Sequence, residues 1–228
     1  MPFTDFMHGD DTGKLTLVSS LAALVLASLG FVLLAKDRAD AANEHLASSD
    51  SLTGIANRRQ LLQTLTRDVV RAVRHREPYG VLMVDVDHFK AVNDRLGHTG
   101  GDAVLRHIAQ LLQSHLRAQD QVGRWGGEEF MLLLPGTSAT GAQLVAEKLR
   151  QLVERTPCIH QGRAIPVTIS VGRCAEELGP GDEPEHLIEA ADKALYAAKR
   201  AGRNCVESAP LARMHVLPGA LAVPARMR

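Results

Sequence analysis

Tyr79-Gly80-Val81-Leu82-Met83-Val84-Asp85-Val86-Asp87 is the stretch that decides the fold. It is a short, apolar, β-branched run that ends in acids, and Tyr79 to Val86 reads as a buried strand. Before it, Asn57 to Glu77 reads as a helix with Leu61, Leu62, Leu65, Val69 and Val73 on one face and Arg67, Arg71 and Arg74 on the other. After it, Asp102 to Leu116 carries Val104, Leu105, Ile108, Leu111 and Leu112 at helical spacing. Gln121 to Trp125 and Glu129 to Leu134 are short strands on either side of Gly126-Gly127, and a diglycine between strands signals a hairpin because such turns need positive φ. Gly141 to Glu154 is a third helix, Ile165 to Arg173 a strand and Glu185 to Arg200 a fourth helix, with Asn204 to Glu207 as an edge strand. A tight hairpin inside an alternating α/β order predicts a mixed sheet in an α/β sandwich of the ferredoxin-like or polymerase-palm kind.

The wider composition narrows the function. The chain has 228 residues, with 26 basic and 26 acidic side chains and a net charge of zero, which argues against a generally basic nucleic-acid binder. Aromatic residues are 4%, too few for base-stacking platforms. Cys158, Cys174 and Cys205 are far apart and form no C-x-x-C pair, which excludes a zinc ribbon or disulfide scaffold and suits a reducing compartment.

Leu15 to Ala35 is uncharged, between Lys14 and Lys36. At about 1.5 Å per residue it would span a bilayer core of roughly 30 Å, so one transmembrane helix is expected over 15–35. A signal peptide is the alternative, with Ala39-Asp40-Ala41 as a weak cleavage site, but Asp5, Asp10 and Asp11 contradict a positive n-region. Lys36 and Arg38 follow the run, so the positive-inside rule places the C-terminal side in the cytoplasm. Residues 1–14 form a short leading segment. Residues 36–50 read as a helical linker, with Ala39, Ala42, Leu46 and Ser49 at 3-4-3 spacing that hints at a parallel helix pair. Residues 51–207 are the globular domain. Residues 208–228, with Pro210, Pro218, Pro224, Arg213, Arg226 and Arg228, read as a disordered basic tail.

The chemistry lies in two acidic motifs. Period 2 sends Asp85 and Asp87 to one side of the strand end, which suits a hard cation, although D-x-D alone equally fits a solvated loop. Glu128 and Glu129 follow the diglycine. Acids on a hairpin beside a strand that ends in acids match a two-metal nucleotidyl-transfer site, where Mg2+ screens a triphosphate. Known phosphate loops are absent: Gly9 to Lys14 has the wrong spacing for a P-loop, and there is no H-E-x-x-H.

Several segments together resemble the GGDEF family of diguanylate cyclases over residues 50–206: Asp50-Ser51-Leu52-Thr53-Gly54, Asp85-Val86-Asp87-His88-Phe89-Lys90, Asn93-Asp94, Gly97-His98, Gly101-Asp102, Arg124-Trp125-Gly126-Gly127-Glu128-Glu129-Phe130, Ala191-Asp192, Ala194-Leu195-Tyr196 and Lys199 to Asn204. The signature here is GGEEF, an active-type variant by this resemblance. The resemblance implies Mg2+, or Mn2+, held by Asp85, the Val86 carbonyl and Glu128. It implies a phosphate cradle at His88-Phe89-Lys90, charge neutralisation by Lys199 and Arg203, and guanine reading by Asn93 and Asp102. Gly126 and Gly127 would let the backbone approach the nucleotide. Glu129, Glu128 or a metal-bound water would help deprotonate the attacking 3′-hydroxyl. The implied reaction condenses two GTP into cyclic di-GMP and two pyrophosphates on a homodimer at the bacterial inner membrane. Arg117-Ala118-Gln119-Asp120 resembles the family's R-x-x-D inhibitory site for the product, with charge added by Lys148 and Arg150 from a neighbouring subunit. A non-catalytic cyclic di-GMP receptor is the alternative. Ile55 and Trp125 depart from the common pattern without touching a predicted ligand.

Overall fold

The computed structural model describes residues 18–32 and 48–212, which fall into two compact units. In the first, residues 18–32 are helical (α1), and their apolar side chains, including Leu21, Leu24 and Phe31, are exposed. Among the described residues no helix is long and apolar enough to cross a membrane. The expected transmembrane helix over 15–35 is therefore not established here, and its two ends lie outside the described residues, as do the leading segment 1–14 and most of the linker.

The second unit contains β1 (Ala56–Asn57), α2 (Arg58–His75), β2 (Pro78–Val86), α3 (Phe89–Ser114), β3 (Gln121–Gly126), β4 (Glu129–Pro135), α4 (Ala139–Arg155), β5 (Cys158–His160), β6 (Arg163–Ile165), β7 (Ile169–Glu177), α5 (Pro184–Arg200) and β8 (Val206–Ser208). A six-stranded sheet has the order β1-β3-β4-β2-β7-β8. The strand β2 runs antiparallel to both β4 and β7, while the β1–β3 and β7–β8 pairs are parallel, so the sheet is mixed as expected. Alternation along β2 feeds two cores. Leu82, Val84 and Val86 pack with residues of α3 and α4. Tyr79, Val81 and Met83 pack with residues of α2 and α5 on the other face. This two-sided burial explains why β2 reads as a continuous apolar run.

Local chemistry sets the element boundaries. Asn57 caps α2 by accepting from the Gln60 N–H at 3.0 Å. The third strand pairs with β4 around a two-residue turn, Gly127-Glu128, with Gly127 at φ 45° and a register shift between Arg124 and Gly126. Gly126 thus ends the strand, and Glu128 lies in the turn itself. On α5, Gly172 of β7 permits close helix packing: a Cβ there would collide with the backbone of Ala191 and Leu195.

Four expectations are corrected. The helix expected from Asp102 to Leu116 instead spans Phe89–Ser114, interrupted at Gly97 (φ 72°), with Gly100 and Gly101 inside it packed against Leu96 and Asn93. The strand expected from Ile165 to Arg173 is divided. Residues Arg163–Ile165 pair with Cys158–His160 across a Gln161-Gly162 turn, both at positive φ, and Pro166 interrupts the run before β7. The linker helix does not extend to residue 50: Ser48 to Asp50 are not helical, and Ser49 bridges Ala56. The expected tail from 208 is anchored at its start. Leu211 is buried in the α2/α5 core and its N–H donates to Glu176 Oε1 at 2.9 Å; residues 213–228 lie outside the described residues.

Candidate active site

The site grows from the end of β2. Asp85 continues the Tyr79-Val81-Met83 series, so its side chain emerges on the α5 face of the sheet. Glu129, its direct partner on β4, continues the Met131-Leu133 series on that same face. The last turn of α5 brings Lys199, whose Nζ donates to Asp85 Oδ2 at 2.7 Å. Glu128 is joined to the same strand end through its carbonyl, which accepts from the Val86 N–H at 3.3 Å.

Electrostatics describe a site short of positive charge. Burial pushes the Asp85 carboxyl above the usual carboxylate range against the pull of Lys199, and the charges of Glu128 and Asp87 add to the upward push. Burial raises Glu129 as well, again opposed by Lys199 and reinforced by Asp85, Asp192 and Glu128. One ammonium thus faces several carboxylates, a donor set that fits a hard divalent cation with Asp85, Glu128 and the Val86 carbonyl as protein ligands. Among the described residues no three His, Cys, Asp or Glu side chains converge as a ready metal cage. The expected set supplies two carboxylates and one carbonyl, so it would not form one.

Arg124 stiffens the acidic hairpin. Its Nε and one terminal nitrogen donate to the Gly127 carbonyl at 2.9 and 2.8 Å, and its other terminal nitrogen donates to Asp50 Oδ2 at 3.2 Å. Asp50 also accepts from the Thr53 N–H and hydroxyl at 2.9 and 2.7 Å. Burial would raise the Asp50 carboxyl, but the Thr53 hydrogen bonds and Arg124 together hold it below its ordinary value. The Asp50-to-Gly54 and Arg124-to-Phe130 segments are therefore one physical unit. Trp125 in the bulge is covered by the Arg58 guanidinium, 4.3 Å from the ring centroid.

The remaining predicted residues fall into three groups. His88 caps α3 in a left-handed conformation (φ 55°) without a side-chain cap, which leaves the amides at Phe89 and Lys90 at an uncapped helix N-terminus suited to phosphate. Asn93 packs on Gly101, beside Asp102, so the two expected base readers share one end of α3. Arg203 is exposed at φ 66° in the turn after α5.

Arg117 and Asp120 close a turn, the Asp120 N–H donating to the Arg117 carbonyl at 3.0 Å and the Arg117 N–H to Asp120 Oδ2 at 3.1 Å. They line a cavity of about 350 Å³ with Gly54, Ile55, Gln113 and Gln121. Asp120 Oδ1 and Gln121 Oε1 are buried there without a hydrogen-bond partner. Lys148 lies on the exposed face of α4 and does not line this cavity. Arg150 is not the free cation expected from sequence: Glu147, Glu154 and Asn204 all accept from it, and its side chain is only 12% exposed.

Two features escaped sequence reading. Asp192 joins the acids around Glu129, and the seven-residue spacing from Asp192 to Lys199 places both on one face of α5. Asp87 does not join Asp85. Its carboxylate is 4% exposed and accepts from Thr168 and Ser170.

The family model described as "Diguanylate cyclase, GGDEF domain" matches residues 47–205. The response regulator PleD of Caulobacter vibrioides is 43% identical over 163 residues, which is 71% of this chain and 36% of PleD. The diguanylate cyclase DgcP of Pseudomonas aeruginosa is 43% identical over 166 residues, or 72% of this chain and 24% of DgcP. The chain thus covers well under two thirds of both relatives. Among solved structures, the GGDEF domain of DgcB from Caulobacter crescentus, in complex with c-di-GMP, superposes with a TM-score of 0.67 at 32% identity, covering 71% of this chain and 95% of that one. The active GGEEF domain of a diguanylate cyclase from Vibrio cholerae gives a TM-score of 0.62 at 34% identity, covering 70% and 99%. The chain belongs to the GGDEF family of diguanylate cyclase domains.

Proposed function

We propose that the chain is a diguanylate cyclase that condenses two GTP molecules into cyclic di-GMP and two pyrophosphates. The observation that carries this reading is the convergence of Asp85, Glu129 and Lys199 beside the Glu128 turn at the open end of β2. Bound Mg2+, held by Asp85, Glu128 and the Val86 carbonyl, would screen the triphosphate and acidify the attacking hydroxyl. Lys199 and Arg203 bring positive charge to the phosphates. The amides at the start of α3 receive them at the helix N-terminus. Asn93 and Asp102 read the guanine edge, an arrangement that adenine cannot satisfy. Glu129, raised by burial, is suited to take a proton from the 3′-hydroxyl.

Each domain holds one GTP, so two copies face each other about a two-fold axis, and each 3′-hydroxyl attacks the α-phosphate across it. The R-x-x-D cavity is the product-inhibition site: the unpartnered acceptors of Asp120 and Gln121 await guanine N–H donors, and Arg117 supplies the cation. Residues 15–35 anchor the protein in the bacterial inner membrane with the catalytic domain in the cytoplasm, a reading supported by the uncharged run and its basic C-terminal flank. Fractionation of the full chain with membranes is expected, and recovery in the soluble fraction would remove this element.

The functional test is chromatographic identification of the product formed from GTP with and without Mg2+, beside the Glu128→Gln variant. Cyclic di-GMP from the wild type and its loss in the variant are expected. Tight binding of cyclic di-GMP with no turnover would instead make the chain a receptor.

A further inference from the structure

Alternation along β2 gives Asp87 the same ligand role as Asp85, but the structure separates the two. Asp87 Oδ1 accepts from the Ser170 hydroxyl at 2.6 Å. Its Oδ2 accepts from the Thr168 hydroxyl at 2.7 Å and from the backbone N–H of Asn204 at 3.0 Å. Its own N–H donates to the Thr168 carbonyl at 3.0 Å. A carboxylate offers about four lone-pair sites, and here protein donors take three of them, with Asp87 only 4% exposed at the wall of a cavity it shares with His88 and Val167. Asp87 is thus committed to the protein.

What it holds is the turn after α5. Arg203 and Asn204 are consecutive non-glycine residues at φ 66° and 45°. That left-handed pair is disfavoured and persists only where its surroundings fix it. Arg203 is itself tied to α5, its N–H donating to the Ala198 carbonyl at 3.1 Å, and two restraints fix Asn204. Asp87 holds the Asn204 backbone, and α4 holds its side chain: Asn204 Oδ1 accepts from Arg150 at 2.7 Å and its Nδ2 donates to Glu154 Oε1 at 2.7 Å. Arg203, directly before Asn204, is thus held from α5 on one side and by this clamp on the other.

We propose that Asp87 is a positioning residue: it ties the α5–β8 turn to the end of β2 so that Arg203 is aimed at the triphosphate. This rests on the GTP-binding reading given above. It separates the two acids of Asp85-Val86-Asp87 into a cation ligand and a clamp. It also makes a chemical distinction. Hydroxyls can donate or accept, whereas the Asn204 N–H can only donate. An asparagine at 87 can therefore keep every bond, its Oδ1 taking the Asn204 and Thr168 donors and its Nδ2 donating to Ser170. A cation ligand could not be so replaced.

The test uses the full chain with Asp87→Ala, Asp87→Asn, Arg203→Ala and the Asp87→Ala/Arg203→Ala double variant. Amide hydrogen exchange over residues 201–206 is read without nucleotide, and KM and kcat are read with GTP. For Asp87→Ala, exchange in that segment should rise about tenfold or more as the clamp opens. Its KM for GTP should rise roughly tenfold while kcat changes by less than about threefold, the pattern of lost ground-state binding. Asp87→Asn should recover most of both losses. The double variant should be no worse than Arg203→Ala, since the two act as one unit. Additive effects in the double variant, or a collapse of kcat in Asp87→Asn with unchanged exchange, would overturn the proposal. If Asp87→Ala does not fold, kcat of Asp87→Asn still separates a clamp from a cation ligand. If the wild type does not turn over GTP, the functional reading fails, and the exchange comparison alone decides whether the clamp exists.

Discussion

Gly172→Ala tests how closely α5 lies against the sheet that aligns Lys199 with Asp85. A methyl group at 172 would strike Leu195 N and Ala191 O and come within 2.6 Å of Leu195 Cα. Carbon–carbon contact is comfortable at about 3.5–4.0 Å, so α5 must retreat by roughly 1 Å. All three obstacles are backbone, so no side-chain rotation relieves them. Overpacking a core costs about 1–3 kcal/mol, and the upper end applies here. In a domain of this size each kcal/mol lowers Tm by about 2–4 °C, so a fall of roughly 6–12 °C is expected. Lys199 is one turn beyond Leu195 and moves with the helix. Its 2.7 Å contact to Asp85 then stretches past hydrogen-bond range, and turnover should fall with stability. Gly179→Ala is the matched control, because Gly179 has no positive φ and open space where a Cβ would stand; its Tm should change by less than about 2 °C. Thermal melts and initial rates on the three proteins suffice. A Gly172→Ala variant that melts within 2 °C of wild type and turns over normally would refute the close approach and the alignment derived from it.

Three further outcomes are expected. Glu128→Gln should reduce Mg2+-dependent pyrophosphate release by about 100-fold or more with Tm unchanged, read by a coupled phosphate assay. Arg117→Ala should raise the cyclic di-GMP concentration for half-inhibition by about tenfold or more, and an unaltered inhibition curve would remove the R-x-x-D cavity from regulation. Asp50 has a depressed carboxyl in the folded state, so its contribution is present above the unfolded value of about 3.9 and is lost as pH falls through the lower folded value. Urea titrations should therefore show a constant deficit for Asp50→Asn between pH 7 and about 5 that shrinks only below pH 4, and a deficit that disappears by pH 5 would contradict the lowered carboxyl.

Legibility in the sequence followed the range of the interaction. The runs that became β2, β4, α2 and α5 carry their burial pattern locally, so their existence and type were readable. A hairpin next to an acid-ended strand was readable, but that Glu129 is the residue directly opposite Asp85 came only from the strand register. Long-range hydrogen bonds were not readable. Asp85 and Asp87 look equivalent by alternation, and only partners more than 80 residues away, Thr168 and Ser170, tell them apart. Arg150 has two partners within one turn of its own helix, Glu147 and Glu154, which i,i+3 and i,i+4 spacing made readable; only Asn204, 54 residues away, was hidden. The hairpin from Cys158 to Ile165 was missed because positive φ at Gln161 carries no strong residue signal. The first part of α3 was missed because Gly97, Gly100 and Gly101 precede the apolar periodicity, whereas the backbone bends only at Gly97 and Gly100 and Gly101 leave room for Leu96 and Asn93.

The sheet's margins have a consequence for assembly. Its outermost strands, β1 and β8, are two and three residues long. Ribbons that short give a second copy almost no ladder on which to extend, so partners are not recruited by main-chain zippering. If two copies face each other as proposed above, side chains on helices and turns would have to carry the contact, and such contacts can loosen and re-form without unravelling the sheet.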